Sequence, residues 1–125
     1  MSDNLARPMI LIDMAKNRIR IHRSTLAALG NPEFILLIVN PEEQTIGIMP
    51  GKRIDPGAHR VKTPSVLGKN CYELYSSGLI RKLREVRDDW RHGGKYRMEG
   101  TVATGQMVVT FSMEEADFLG TGKVT

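Results

Sequence analysis

The chain has a single cysteine, few aromatic residues (6%) and no apolar run as long as a membrane span. Each shortage removes a class of function. With Cys71 alone, no intramolecular disulfide can form, and a reducing compartment fits. The opening residues, with Asp3 and only a short apolar stretch around Ile10, lack the pattern of a secretory signal, so the expected location is the cytoplasm, away from membranes. His22, His59 and His92 are widely spaced, with no Cys or carboxylate at metal-ligand intervals, so a zinc site is not expected. No glycine-rich phosphate loop follows a strand, and Gly93-Gly94 stands where a helix is expected to end, whereas phosphate cradles open one. Glu42-Glu43 and Glu114-Glu115 are adjacent acids in a turn and a tail, where solvation is their ordinary role. No nucleophile motif surrounds Cys71. The expectation is a protein that is not an enzyme and carries no cofactor or metal.

What is present is one globular domain of 125 residues, 41% hydrophobic and 26% charged, with a formal charge of +4. The positive excess is uneven. Residues 1–63 hold nine Lys and Arg against six acids, whereas residues 64–125 hold nine against eight. Lys16, Arg18, Arg20 and Arg23 fall within eight residues that contain no acid, and Ile19 and Ile21 alternate with Arg18 and Arg20. In a strand, that alternation sends the isoleucines to one face and the arginines to the other.

Local punctuation organises the surrounding segment. Pro8 to Asp13 reads as a first strand, with Ile10 and Ile12 on one side. Ser24 is a suitable N-cap for a short helix through Leu29, Gly30 suits the left-handed residue that closes it, and Asn31-Pro32 stops its extension. The apolar run Phe34 to Val39, the turn Asn40-Pro41-Glu42-Glu43 and the segment Thr45 to Met49 read as a β-hairpin. Residues 51–69, rich in Gly, Pro and Lys, form a connector with one short strand at His59 to Lys62.

The second half repeats this order of elements. Asn70 opens the alternating strand Cys71 to Tyr75, Ser76 or Ser77 caps a helix, and Gly93-Gly94 ends it. Strands then follow at Lys95 to Ala103 and Gln106 to Met113, before a tail from residue 114. The pattern is that of a duplicated strand-helix-hairpin unit, residues 8–50 and 70–113, although a small α+β protein can show such an order by coincidence. In the second helix Leu79, Leu83, Val86 and Trp90 form an apolar stripe, with Trp90 as a core anchor. Arg84, Arg87 and Arg91 flank that stripe. They are either candidate phosphate contacts or part of a solvated amphipathic helix with internal charge pairs.

At Lys16-Asn17-Arg18-Ile19-Arg20-Ile21 the chain resembles the swapped-hairpin DNA-binding family of AbrB, MazE and MraZ. Asn17 stands where that family has the glycine of a Gly-Arg turn, Leu29-Gly30 matches its Leu-Gly, and the Phe34 to Met49 hairpin is in the expected place. His22 replaces the proline that usually follows the strand, and Asp13 precedes Arg18 by one residue more than in the MraZ type. The resemblance covers residues 8–50. It implies an α+β, β-rich fold of two strand-helix-hairpin halves forming a swapped-hairpin or pseudo-dimeric barrel-like sheet. It also implies a homo-oligomer, unless the halves pair with each other, and a regulator that binds double-stranded DNA through a basic β surface.

From the residues themselves, Lys16, Arg18, Arg20 and Arg23 are candidate DNA contacts, joined on the second helix by Arg84, Arg87 and Arg91. The alternative is a protein-binding adaptor or antitoxin-like module, whose partner site would draw on Met98, Met107, Met113, Tyr72 and Tyr75.

Overall fold

The structure is a computed structural model that describes residues 7–61, 70–103 and 105–121. It is β-rich, with nine strands and two α-helices among the described residues. The first half contains β1 (Met9–Asp13), β2 (Arg18–His22), α1 (Arg23–Ala28), the hairpin β3 (Phe34–Asn40) and β4 (Thr45–Gly51), and the two-residue β5 (His59–Arg60). The second contains β6 (Cys71–Tyr75), α2 (Ser77–Val86), β7 (Gly94–Val102), β8 (Val109–Ser112) and β9 (Asp117–Thr121). The strands form a curled antiparallel half-barrel in the order β5-β3-β4-β8-β7-β1-β2-β6, with β9 added along the other side of β7.

The alternating strand forms as its sequence requires. Ile19 and Ile21 are buried in β2, opposite Ile12 and Ile10 of β1 and opposite Leu74 and Tyr72 of β6. Each fully buried isoleucine contributes about 1.5–3 kcal/mol. The turn into β2 depends on Asn17 at φ 51°, a left-handed conformation that asparagine tolerates nearly as well as the glycine it replaces. One core cluster joins these residues to Leu26 and Leu29 after β2, Ile80 and Leu83 of α2, and Val109 and Phe111 of β8.

Four expectations are corrected in detail. The N-cap of α1 is His22, whose Nδ1 accepts from the Ser24 N–H at 3.1 Å; Ser24 lies inside the first turn, where its own N–H is one of the donors needing a cap. The second helix stops at Val86, so Trp90 and Arg91 are not on it. Asp88 and Asp89 follow that end, where the helix dipole disfavours acids, and Arg87 turns back to pair with Asp89. Trp90 is buried as expected, but it is held by stacking on Tyr96 at 4.1 Å. Gly94 opens β7 instead of closing a helix: a Cβ there would sit 2.7 Å from the Tyr96 ring. The expected tail contains β9, which pairs with β7 through Tyr96↔Phe118 and Arg97↔Asp117.

The pairings relate the two halves. β2 lies antiparallel beside β6, and β4 lies antiparallel beside β8. The Ser76 N–H donates to Asn17 O at 2.9 Å, and the Arg23 N–H donates to Asn70 O at 2.8 Å, so each strand's leading asparagine accepts from the residue that follows the other strand. The run β5-β3-β4-β8-β7-β1 reads the same when β1, β3 and β4 exchange with β5, β7 and β8. The exchange fails at two places among the described residues: β1 pairs with β2 while no β5–β6 pairing occurs, and β9 on β7 has no counterpart on β3. β3 pairs with β4 along its whole length, and on its other side with β5 only at Phe34 and Ile35, so among the described residues no strand pairs with Leu36 to Val39 on that edge.

Candidate nucleic-acid interface

The outward residues of β2 lie on a face made by β9, β7, β1, β2 and β6. Since Ile10, Ile12, Ile19, Ile21, Tyr96 and Met98 point into the core, Met9, Leu11, Asp13, Arg18, Arg20, Lys95, Arg97 and Glu99 belong to the opposite side. Registers then align rows across the strands. One row runs Lys95, Asp13, Arg18, Tyr75, and the next runs Asp117, Arg97, Leu11, Arg20, Glu73.

These rows correct the picture of an unneutralised arginine strand. Arg18 keeps only 9% of its side chain exposed, and its Nη2 donates to Asp13 Oδ2 at 2.9 Å. Asp13 is fully buried, and its Oδ1 also accepts from the Lys16 N–H at 3.3 Å, which braces the β1–β2 turn. Arg20 donates through Nε to Glu73 Oε2 at 3.0 Å, and the same oxygen lies 3.7 Å from Arg18 Nη1. The acids absent from the local sequence arrive from β1 and β6. Burial works against the Arg18 charge, but Tyr75, Asp13 and Glu73 together outweigh it, and the guanidinium pKa is raised from its ordinary value.

The other predicted cations divide sharply. Lys16 and Arg23 are exposed at the two ends of β2, and among the described residues neither meets a carboxylate; Arg23 reaches only Asn70 Oδ1, at 3.4 Å. Arg87 is committed to Asp89 through Nε and Nη2, at 3.1 and 3.0 Å, and to Gln44 through Nη1 at 2.8 Å. Arg91 lies over the Phe118 ring at 5.0 Å. Arg84 is half-buried, with an Nε that has no hydrogen-bond partner. Arg87 and Arg91 are thus held by Asp89, Gln44 and the Phe118 ring, whereas Arg18 and Arg20 are held by Asp13 and Glu73.

Signals for the rest of the face were present but not isolated by local spacing. Lys95-Tyr96-Arg97-Met98-Glu99 alternates with period two, as Arg18 to Ile21 does. Glu73 is visible in Cys71 to Tyr75, yet only the β2–β6 register reveals what it neutralises. The strands of the face hold Arg18, Arg20, Lys95 and Arg97 against Asp13, Glu73, Glu99 and Asp117; Arg7, Lys16 and Arg23 flank β1 and β2, and the exposed Glu114 and Glu115 lie just before β9. The strands themselves are balanced, four cations against four acids, and Lys16 and Arg23, without a carboxylate partner among the described residues, lie at the ends of β2.

Of the residues expected to form an adaptor surface, Met98 and Met113 are core, and Tyr72 packs half-buried against it; Met107 and Tyr75 are exposed. Among the described residues no group of three His, Cys, Asp or Glu could hold a metal ion, and no helix is long and apolar enough to cross a membrane. Comparisons with protein-family models, curated proteins and solved structures return no match to this chain.

Proposed function

We propose that this chain is a DNA-binding regulatory module built from two strand-helix-hairpin copies, with the outer face of β9-β7-β1-β2-β6 as its contact surface. The observation that carries the reading is the pair of exposed cations at either end of β2, Lys16 and Arg23, which meet no carboxylate among the described residues. Support for two copies comes from the antiparallel juxtaposition of β2 with β6 and of β4 with β8, since equivalent strands related by a twofold axis must pair antiparallel. That is the pseudo-dimeric arrangement implied by the resemblance of residues 8–50 to the swapped-hairpin family.

Within this reading the cations have different tasks. Lys16 and Arg23 contact phosphates first, Lys95 and Arg97 extend the track across β7, and Arg20 joins by keeping Glu73 on one edge of its guanidinium. Arg18 holds the turn with Asp13 and does not leave the protein. Phosphate contacts release counterions, so affinity must fall steeply with salt. Fluorescence anisotropy with a random duplex, at about 50 and about 200 mM salt, tests this; Lys16→Ala with Arg23→Ala should reduce the logarithmic salt slope by about two units. No binding at the lower salt would overturn the reading.

A second copy is the protein partner favoured by the β3–β4 end of the sheet. Phe34, Leu36, Ile38 and Met49 alternate with core residues on the outer side of β3 and β4, and Gly47, paired to Thr110 of β8, adds no charge between them. Two copies of a chain with net charge +4 repel least across such a surface. Light scattering of the parent and of Ile38→Lys tests it: a dimer that the substitution dissociates is expected, and a parent that is monomeric at high concentration contradicts it.

A further inference from the structure

The charged face contains an apolar interruption that DNA binding does not explain. In the row Asp117, Arg97, Leu11, Arg20, Glu73, the central position is a leucine with an arginine on each neighbouring strand. Adjacent strands are about 4.8 Å apart, so the two arginine backbones stand about 10 Å apart across Leu11. Met9, on the same strand, and Leu119 of β9 extend the apolar surface, and the whole forms a groove of about 300 Å³. Arg20, Arg97 and His22 supply its polar walls.

Each wall arginine is held in a way that leaves donors for a guest. The bond from Arg20 to Glu73 uses Nε, and the bond from Arg97 to Asp117 uses Nη2 at 3.4 Å. A guanidinium has five N–H donors, so each acid fixes one edge while the others remain. His22, whose Nδ1 meets the Ser24 N–H at 3.1 Å and Ser24 Oγ at 2.7 Å at the cap of α1, lines the groove beside the two arginines. An apolar floor walled by guanidinium forks matches one ligand chemistry well: a planar carboxylate, which arginine binds through two parallel hydrogen bonds, on a short aliphatic body.

We propose that this groove binds a small amphipathic carboxylate, its chain lying over Met9, Leu11 and Leu119 and its head between Arg20 and Arg97. Because the groove lies within the face proposed for DNA, an occupant would mask two of its cations. That consequence rests on the DNA reading, whereas the binding itself does not.

Isothermal titration of the described chain with octanoate, in the absence of DNA, tests the site. A dissociation constant in the millimolar range or tighter is expected, and Arg97→Gln or Arg20→Gln should weaken it about tenfold or more, the loss typical of a hydrogen bond to a charged group. Leu11→Asn, an outward substitution, should weaken octanoate and leave any response to acetate unchanged. Circular dichroism verifies that each variant is folded. Absence of octanoate binding overturns the proposal, as does equal binding of octanol, which lacks the carboxylate, or parental affinity in both arginine variants. Competition by octanoate against duplex DNA is measured separately: octanoate binding without competition would leave the groove intact and remove its link to DNA.

Discussion

β2 and β6 lie side by side as an antiparallel pair, yet their outer faces carry different chemistry. Asn17 and Asn70 open them, reciprocal backbone hydrogen bonds close them, and their inner residues, Ile19 and Ile21 against Tyr72 and Leu74, meet the same core. Outward, β2 presents Arg18, Arg20 and His22, whereas β6 presents Cys71, Glu73 and Tyr75. The lesson is that a strand's inner residues are constrained by packing while its outer residues remain free to diverge. Here the divergence lets one strand neutralise the other at the centre of the sheet and leaves positive charge at its margins.

The largest effect that would break this comparison lies at the buried end of the network. Asp13→Ala would leave the largely buried Arg18 with only its longer contact to Glu73, and we expect a loss of about 3 kcal/mol in denaturant unfolding. Adding Arg18→Met should recover much of that loss, because a similar-sized apolar side chain removes the buried charge. If Asp13→Ala alone is close to neutral, the pair is not what holds the β1–β2 turn.

A smaller effect separates the two helix caps. Ser76 accepts from the Leu79 N–H at 3.1 Å in a standard serine cap, and Ser76→Ala should cost about 1 kcal/mol. His22→Ser should leave stability nearly unchanged, since serine caps as well as histidine. It should also weaken octanoate in the groove, because the ring that lines it is then lost. A His22→Ser variant that keeps full octanoate affinity would remove histidine from that site.

The smallest effect concerns β5, the two-residue strand beside the start of β3. Burial lowers the pKa of His59 from its ordinary 6.5, so the unfolded chain binds the proton more readily than the folded one. Its stabilising contribution is therefore present above pH 6.5 and is lost as the pH falls through the lower folded-state value. Unfolding midpoints of the parent should drop across that window by more than those of His59→Gln. Parallel curves for the two proteins would show that His59 titrates normally.

How far the sequence anticipated this molecule depends on whether a feature is local. The alternation of Ile19 and Ile21, the left-handed Asn17 and the Phe34 to Met49 hairpin were legible because period-two patterning and turn chemistry act within a few residues. The end of α2 was not, because the continuation of an apolar stripe to Trp90 hid the two aspartates that disfavour the helix there, and the stacking partner Tyr96 lies in another element. β9 was missed for a related reason: Phe118 and Leu119 are half-exposed and show no alternation, and their strand exists only by pairing with β7. At the candidate site the four β2 cations were visible, but their state was not. Glu73 is far from Arg20 in sequence, and only strand register brings the two within 3.0 Å.

That pair also gives the most direct test of the central claim. Glu73→Gln keeps a hydrogen-bonding side chain, removes one negative charge from the face and releases Arg20 from its carboxylate. If the outer face of β9-β7-β1-β2-β6 contacts phosphates, this variant should bind random duplex DNA more tightly than the parent, with a logarithmic salt slope steeper by about one unit. A folded Glu73→Gln protein whose affinity and slope equal the parent's would contradict the account.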